Sequence, residues 1–334
     1  MVQRKGLVSA ALLAASVALS AAYPVAHAQS WPTKPIRMIV PFGAGGPTDV
    51  LARPFAEKLG GALRQQVIIE NRVGAGGNIG TELVARADPD GYTILFTAAG
   101  PMVSNDQVYG KVPYDPEKDF SPIGMIMSVP MILMVSTTIP VNSVAELVQL
   151  AKSRPGKLNF ASGGYGTGPH IGGELFKRWA GIDIVHIPYK SGSQIYPALM
   201  SGEAQIYFDA TIGLPYTKGG KLKAIATANS KRISAAPELP TMTEAGLPGV
   251  DIWSWYALLG PSGTPKPIVT TLNTEINRML KDAEFLGKVS VLGFEPDGGT
   301  PEQLAERIRA DRKRVESNFK AAGLRFEQPS GTGR

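Results

Sequence analysis

Short apolar runs alternate with amphipathic stretches along most of this chain. Residues 36–42 form an apolar run, the pattern of a strand covered on both faces. Val50, Leu51, Phe55 and Leu59 follow at helical spacing, with Gly60-Gly61 as a stop. Pro54 lies inside that pattern, so a bend is expected there unless it falls in the first turn. Apolar runs at 67–70 and 92–97 predict two further strands around a helix over 81–87. The order is βαβαβ, which predicts a parallel sheet with helices on both faces.

Residues 108–120 hold Pro113, Asp115 and Pro116 and read as a surface loop. A buried strand follows at 131–135. Ser143 and Glu146 then form a capping box that opens a helix over 143–152. Further apolar runs at 158–161, 183–188, 205–208 and 222–227 read as strands, with helices over 171–180 and 195–200 between them. The aromatic-rich run 252–261 predicts one more strand, whose Trp253, Trp255 and Tyr256 are expected in core or inter-lobe packing. Pro267 begins a helix as a favourable first residue. Thr300-Pro301-Glu302-Gln303 opens the last one with a second capping box.

The candidate chemistry sits where strands meet helices. Met38 to Asp49 reads as a strand, a turn containing Gly43, Gly45 and Gly46, and a helix start. Such a turn leaves unpaired N–H groups at the positive end of a helix dipole, a natural seat for a carboxylate. Glycine-rich turns of this kind are common and most hold nothing, so spacing matters. No Lys-Ser or Lys-Thr follows the glycines, which excludes a P-loop. Thr48 stands where a dinucleotide fingerprint needs its third glycine. Residues 162–170 repeat the logic in the second half, with Ser162, Gly163, Gly164, Gly166 and Thr167 leading into a helix. A third glycine-rich turn, Gly74 to Gly80, reads equally well as tight strand-to-helix packing. Two anion-seating turns, one in each half, suggest a two-lobed binding protein.

The N-terminus adds a destination. Arg4 and Lys5 precede an apolar run over 7–22, and Ala26-His27-Ala28 fits a signal-peptidase site, so cleavage is expected after Ala28. Absence of Cys excludes a lipid anchor and disulfides, so stability must come from packed cores. The formal charge of +6 includes two cations of that leader. The remaining basic residues are scattered and carry no aromatic-interleaved patch for nucleic acid. A catalytic constellation is equally hard to find. The mature chain keeps His170 and His186 alone, without HExxH or G-x-S-x-G. Ser162 with His170 is the only tempting hydrolase pair, and it lacks a third member. His186, inside an apolar strand, reads as a hydrogen-bonded core residue. No ligand spacing for a metal is present, and no cofactor is expected.

Motifs spread over the whole mature chain carry a resemblance. They include Trp31-Pro32-Thr33-Lys34-Pro35-Ile36-Arg37, Val40-Pro41-Phe42 with Gly45-Gly46-Pro47-Thr48-Asp49, and Glu70-Asn71-Arg72 with Gly74-Ala75-Gly76-Gly77-Asn78-Ile79-Gly80. Asp90-Gly91-Tyr92-Thr93, Pro113-Tyr114-Asp115-Pro116, Pro155-Gly156-Lys157-Leu158-Asn159, His186-Ile187-Pro188-Tyr189-Lys190 and Glu244-Ala245-Gly246-Leu247-Pro248-Gly249 continue the series. Together they resemble the Bug-type (TctC-like) periplasmic receptors of tripartite tricarboxylate transporters.

The resemblance implies an α/β fold of the two-lobed type II periplasmic-binding class, each lobe a mainly parallel sheet flanked by helices. Lobe 1 would comprise 29–127 and 251–334, and lobe 2 would be 128–250, with crossing strands near Met131 and Trp255. It implies a monomeric receptor for a small di- or tricarboxylate or aromatic acid, serving the large and small membrane subunits of a transporter. A ligand sensor for a membrane kinase is the alternative. The implied ligand contacts are Phe42, Gly46, Thr48, Asp49, Thr97 and Ala98 from lobe 1, and Ser162, Gly163, Gly166, Thr167, Tyr189 and Asp209 from lobe 2. Tyr165 is bulky for its turn and is expected to shape the pocket. Asp49 and Asp209 are expected either to cap helices or to accept a ligand ammonium. Lys190-Ser191-Gly192-Ser193 departs from the family's usual Lys-Gly run.

Overall fold

The computed structural model describes residues 31–323 apart from Ser191, Ser230, Val291 and Leu292; the expected leader and its cleavage site lie outside the described residues. Strand β1 (Ile36–Val40), helix α1 (Pro47–Leu63), β2 (Val67–Asn71), α2 (Asn78–Ala85) and β3 (Thr93–Ala98) make the expected βαβαβ unit. Strand β1 lies parallel between β2 and β3. Helix α1 runs on through Pro54, which is partly exposed and leaves the Val50 carbonyl without its helical donor. Short helices α3 (Ala99–Val103) and α4 (Asn105–Tyr109) follow, the latter occupying the start of the stretch read as loop.

Strand β4 (Phe120–Pro130) is absent from the apolar pattern, because Ser121, Pro122 and Gly124 interrupt it. Met131 alone separates it from β5 (Ile132–Ser136). The chain continues through α5 (Val144–Ser153), β6 (Asn159–Ser162), α6 (Gly168–Ala180), β7 (Val185–Pro188), α7 (Gly192–Ser201), β8 (Ile206–Asp209), α8 (Leu214–Lys218) and β9 (Leu222–Thr227). Strand β10 (Trp253–Pro261), α9 (Lys266–Met279), α10 (Ala283–Ser290), β11 (Glu295–Pro296) and α11 (Pro301–Ala322) complete the order. Pro267 is the second residue of α9, not the first.

Among the described residues these strands form a six-stranded sheet, β11-β4-β10-β3-β1-β2, and a five-stranded sheet, β7-β6-β8-β5-β9. The first core centres on Ile39, Leu95, Trp255, Leu259, Leu304 and Ile308, all essentially inaccessible. The second gathers Ile132, Met134, Ile195, Leu199, Tyr207 and Leu222. Buried Trp255 donates its indole N–H to Asp311 Oδ2 at 2.9 Å, pinning α11 across β10. Both capping boxes anchor their helices, with one difference. Thr300 and Gln303 satisfy each other reciprocally. Glu146 returns to the N–H of Asn142 at 2.7 Å, one residue before the cap.

The crossing between the sheets is built around Met131. Its N–H donates to Asn229 Oδ1 at 2.8 Å, and its carbonyl accepts from Ala228 N–H at 2.8 Å. Ile252 N–H then donates to the Ala228 carbonyl as the chain returns to β10. These bonds hold the two linking segments side by side, one residue from the ends of β4 and β9.

Candidate functional site

At the carboxyl end of β1 the chain turns into α1 at Gly46, which has extended backbone, and no side chain caps this helix start. The N–H groups of Thr48 and Asp49 lie in the first turn, outside the helical ladder and at the positive end of the dipole. Gly45 takes a left-handed φ of +75° and donates its N–H to Asp49 Oδ2 at 2.9 Å. Arg53 binds both Asp49 oxygens, at 2.8 and 3.0 Å. Asn71 Nδ2 adds a bond to Asp49 Oδ1 at 3.0 Å and one to the Phe42 carbonyl at 2.9 Å. Burial pushes the Asp49 carboxyl up, but Arg53, Gly45 and Asn71 together outweigh it and hold it below the ordinary range. Of the two roles open to Asp49, this geometry supplies the brace: its oxygens are engaged by its own lobe.

At the carboxyl end of β6 the second turn enters α6 with Thr167 as an extended N-cap residue, again without a side-chain cap. The Thr167 hydroxyl instead donates backward to the Gly164 carbonyl at 2.7 Å. Ser162 is fully buried, and its Oγ accepts the Gly164 N–H at 3.0 Å. Gly163 sits between them. Gly166 N–H donates to His170 Nδ1 at 3.2 Å. The Ser162 partner on the imidazole side is His186, with Oγ and Nε2 2.6 Å apart. The pairing of Ser162 with His170 weighed from sequence is thus replaced by one reached across neighbouring parallel strands, since β6 and β7 place Phe160 beside His186. Nδ1 of His186 is buried without a partner, so nothing orients it as a nucleophile's base would require. Burial and the neighbouring imidazole hold His170 down to about 3; burial and Lys177 hold His186 down to about 4. Both rings are neutral near pH 7; His186 stacks on Phe160, and Tyr165 meets both imidazoles edge-on.

The remaining predicted residues divide by what already holds them. Thr97 is buried and donates to the Ala98 carbonyl at 3.0 Å, and Ala98 is the N-cap residue of α3. Tyr256 of β10 is buried, and burial pushes its phenol up. Tyr189 sends its hydroxyl to Glu203 at 2.9 Å. Asp209 is fully buried and accepts from Gly213 N–H at 2.6 Å and Tyr196 hydroxyl at 2.9 Å. Burial pushes its carboxyl up to about 6 despite those bonds. It too serves its own lobe, capping the turn before α8. Gly45 closely approaches the opposite lobe, since a β-carbon there would lie 3.6 Å from Ser193 Cβ.

Asn71, Arg53 and Tyr196 are the residues that sequence reasoning missed. Asn71 was within reach: it ends β2, in register with Val40 at the end of β1, inside the Glu70-Asn71-Arg72 motif. Among the described residues no group of three metal-binding side chains comes together, and no helix is long and apolar enough to cross a membrane.

Two α/β sheets joined by crossing strands, each aiming a glycine-rich turn and an uncapped helix start, define a two-lobed solute-binding protein. The chain belongs to the tripartite tricarboxylate transporter family of receptors, whose model matches residues 51–324. It is 34% identical over 302 residues to the protein BugT of Bordetella pertussis, covering 90% of this chain and 93% of that one. Among solved structures, Rpa4515 of R. palustris with adipate has a TM-score of 0.85 at 36% identity, over 89% of this chain and all of the other. The periplasmic binding protein BugD gives 0.84 at 35%, with 89% and 100% covered. MatC from Rhodopseudomonas palustris with bound malate gives 0.83 at 31%, with 86% and 99% covered. The chain is therefore a solute-binding receptor and not an enzyme.

Proposed function

We propose that this receptor captures a small dicarboxylate between its two glycine-rich turns and presents it to the membrane subunits of a tripartite transporter. The observation that carries the reading is the pair of helix starts at Gly46 and Thr167, both extended and both left without a side-chain cap. Each offers main-chain N–H groups to one carboxylate, so no Arg clamp is needed. Adipate in Rpa4515 and malate in MatC support a ligand with a carboxylate at either end. Lobe 1 is 29–127 with 251–334, lobe 2 is 128–250, and residues 1–28 are the leader that sends a monomer to the periplasm. Phe42, Gly46, Thr48, Thr97, Ala98, Ser162, Gly163, Tyr165, Gly166, Thr167 and Tyr189 line the site, with Asp49 and Asp209 shaping it from behind.

Charge-assisted hydrogen bonds contribute about 1.5–3 kcal/mol each. Three or four, less the cost of ordering, give a roughly micromolar complex near −8 kcal/mol. Titration calorimetry with adipate, malate, monocarboxylates and amino acids tests this. One-to-one binding of a dicarboxylate is expected, and Thr48→Pro, which removes one donor in a turn that tolerates proline, should abolish it while the circular dichroism spectrum is retained. Unchanged affinity in that variant, or no carboxylate bound at all, would overturn the reading.

A further inference from the structure

The third glycine-rich turn has no place in the ligand site, yet the opposite lobe rests on it. A β-carbon at Gly76 would stand 2.2 Å from the Tyr165 carbonyl oxygen, and one at Gly100 would stand 2.9 Å from that of Gly166. Around these bare backbones, side chains of lobe 1 reach across. The Tyr109 hydroxyl donates to the Tyr165 carbonyl at 3.0 Å, and the Ser104 hydroxyl donates to the Gly166 carbonyl at 3.1 Å. Burial pushes the Tyr109 phenol well above its ordinary value, so it remains a donor at any physiological pH. The platform beneath is tied together by buried side chains: Asn105 is fully buried and donates to the Gly76 carbonyl at 3.0 Å and to Asn78 Oδ1 at 2.6 Å. Tyr114 donates to the same Asn78 oxygen at 2.7 Å.

We propose that Tyr109, Ser104 and the glycine platform at Gly76 and Gly100 form a clasp that holds the lobes shut independently of ligand, and so sets affinity without touching it. The chemistry of the turn allows both tasks at once. The clasp uses only carbonyl oxygens of Tyr165 and Gly166, whereas an anion in the cleft uses N–H groups. The Gly166 N–H is held by His170, but the clasp itself engages acceptors alone and takes no donor from the helix start, so clasp and ligand do not compete. A receptor that populates its closed form before binding has an apparent dissociation constant reduced in proportion to that population.

The affinity arm of the test rests on the dicarboxylate reading; the closure arm does not. Because the chain has no Cys, nitroxide labels at Glu57→Cys and Lys152→Cys report the lobe-to-lobe distance in the ligand-free protein by pulsed electron resonance. Tyr109→Phe with Ser104→Ala should shift that distribution to longer distances and weaken adipate binding about tenfold, mostly through faster release. Gly100→Ala is the second variant. Alanine suits the short helix better than glycine does, yet its methyl group wedges against the Gly166 carbonyl, so opening is expected with an unchanged or raised melting temperature. A ligand-free distribution identical to wild type in both variants overturns the clasp. Opening in the variants with no adipate bound by wild type leaves the clasp standing and removes the ligand reading instead.

Discussion

The two glycine-rich turns that enter α1 and α6 share a backbone plan but are braced by opposite chemistry. In lobe 1 the brace is ionic: a buried carboxylate, Asp49, gathers Gly45 N–H, Arg53 and Asn71. In lobe 2 it is neutral: Ser162, His186, Thr167 and His170 pass hydrogen bonds through hydroxyl, imidazole and main chain. Both solve one problem, holding a turn still at a helix start whose first-turn N–H groups lie outside the helical ladder. The ionic brace concentrates strength in one side chain and one charge. The neutral one spreads it over several weaker bonds.

The comparison predicts unequal losses. Asp49→Ala removes every contact of the ionic brace at once and should cost about 2–4 kcal/mol in chemical denaturation, with dicarboxylate binding lost. Arg53→Met should cost little, because the Arg53 side chain is 57% exposed and the bonds from Gly45 and Asn71 persist. If the two variants were equally damaging, the charge and not the gathering of main chain would be the brace. Ser162→Ala should cost less than Asp49→Ala, about 1–3 kcal/mol. A cycle with His186→Phe should show strong coupling, since the two side chains share one bond and Ser162→Ala leaves the imidazole without a partner. Additive losses would mean that the two side chains act separately.

The smallest effect is the pH response, and it separates the two turns by window. His170 and His186 are held down to about 3 and about 4, chiefly by burial. The unfolded chain takes up their protons near the ordinary 6.5 and the folded one does not. Their contribution is therefore complete above about pH 6.5 and declines as pH falls toward 4. Asp209, pushed up to about 6 by burial, acts the other way: the folded state binds its proton first, so this group favours folding as pH falls through 6. Asp49 lies below the ordinary carboxylate range, so its brace persists across this window and fails only in stronger acid. Melting curves from pH 7 to 5 should fall less steeply in His186→Phe than in wild type. An unchanged slope would show that the imidazoles already carry protons in the folded protein.

Much of this was open to reading along the chain. The first βαβαβ unit, the uncapped turns and the capping boxes follow from local periodicity and from glycine and proline placed at helix starts. Strand β4 was hidden, because its Pro122 and Gly124 break the apolar run and its burial comes from β10 and from helices distant in sequence. Helix α10 was missed for a related reason: it is one short amphipathic turn-pair, anchored by Phe285 against Phe55 of α1.

The sequence by itself determined the class of fold, the glycine-rich helix starts and the family likeness, because those depend on residues within a few positions of one another. Only the tertiary structure decided that Ser162 meets His186 and not His170, that Asp49 and Asp209 are spent within their own lobes, and that Tyr109 reaches the Tyr165 carbonyl. Asp49 meets Gly45 and Arg53, and Asp209 meets Gly213, only four residues away along the chain; the Ser162–His186, Asn71–Asp49 and Tyr109–Tyr165 contacts join segments brought together by strand register or by one lobe resting on the other. Hydrogen-bond partners of that kind are set by packing in three dimensions, and spacing along the chain carries no record of them.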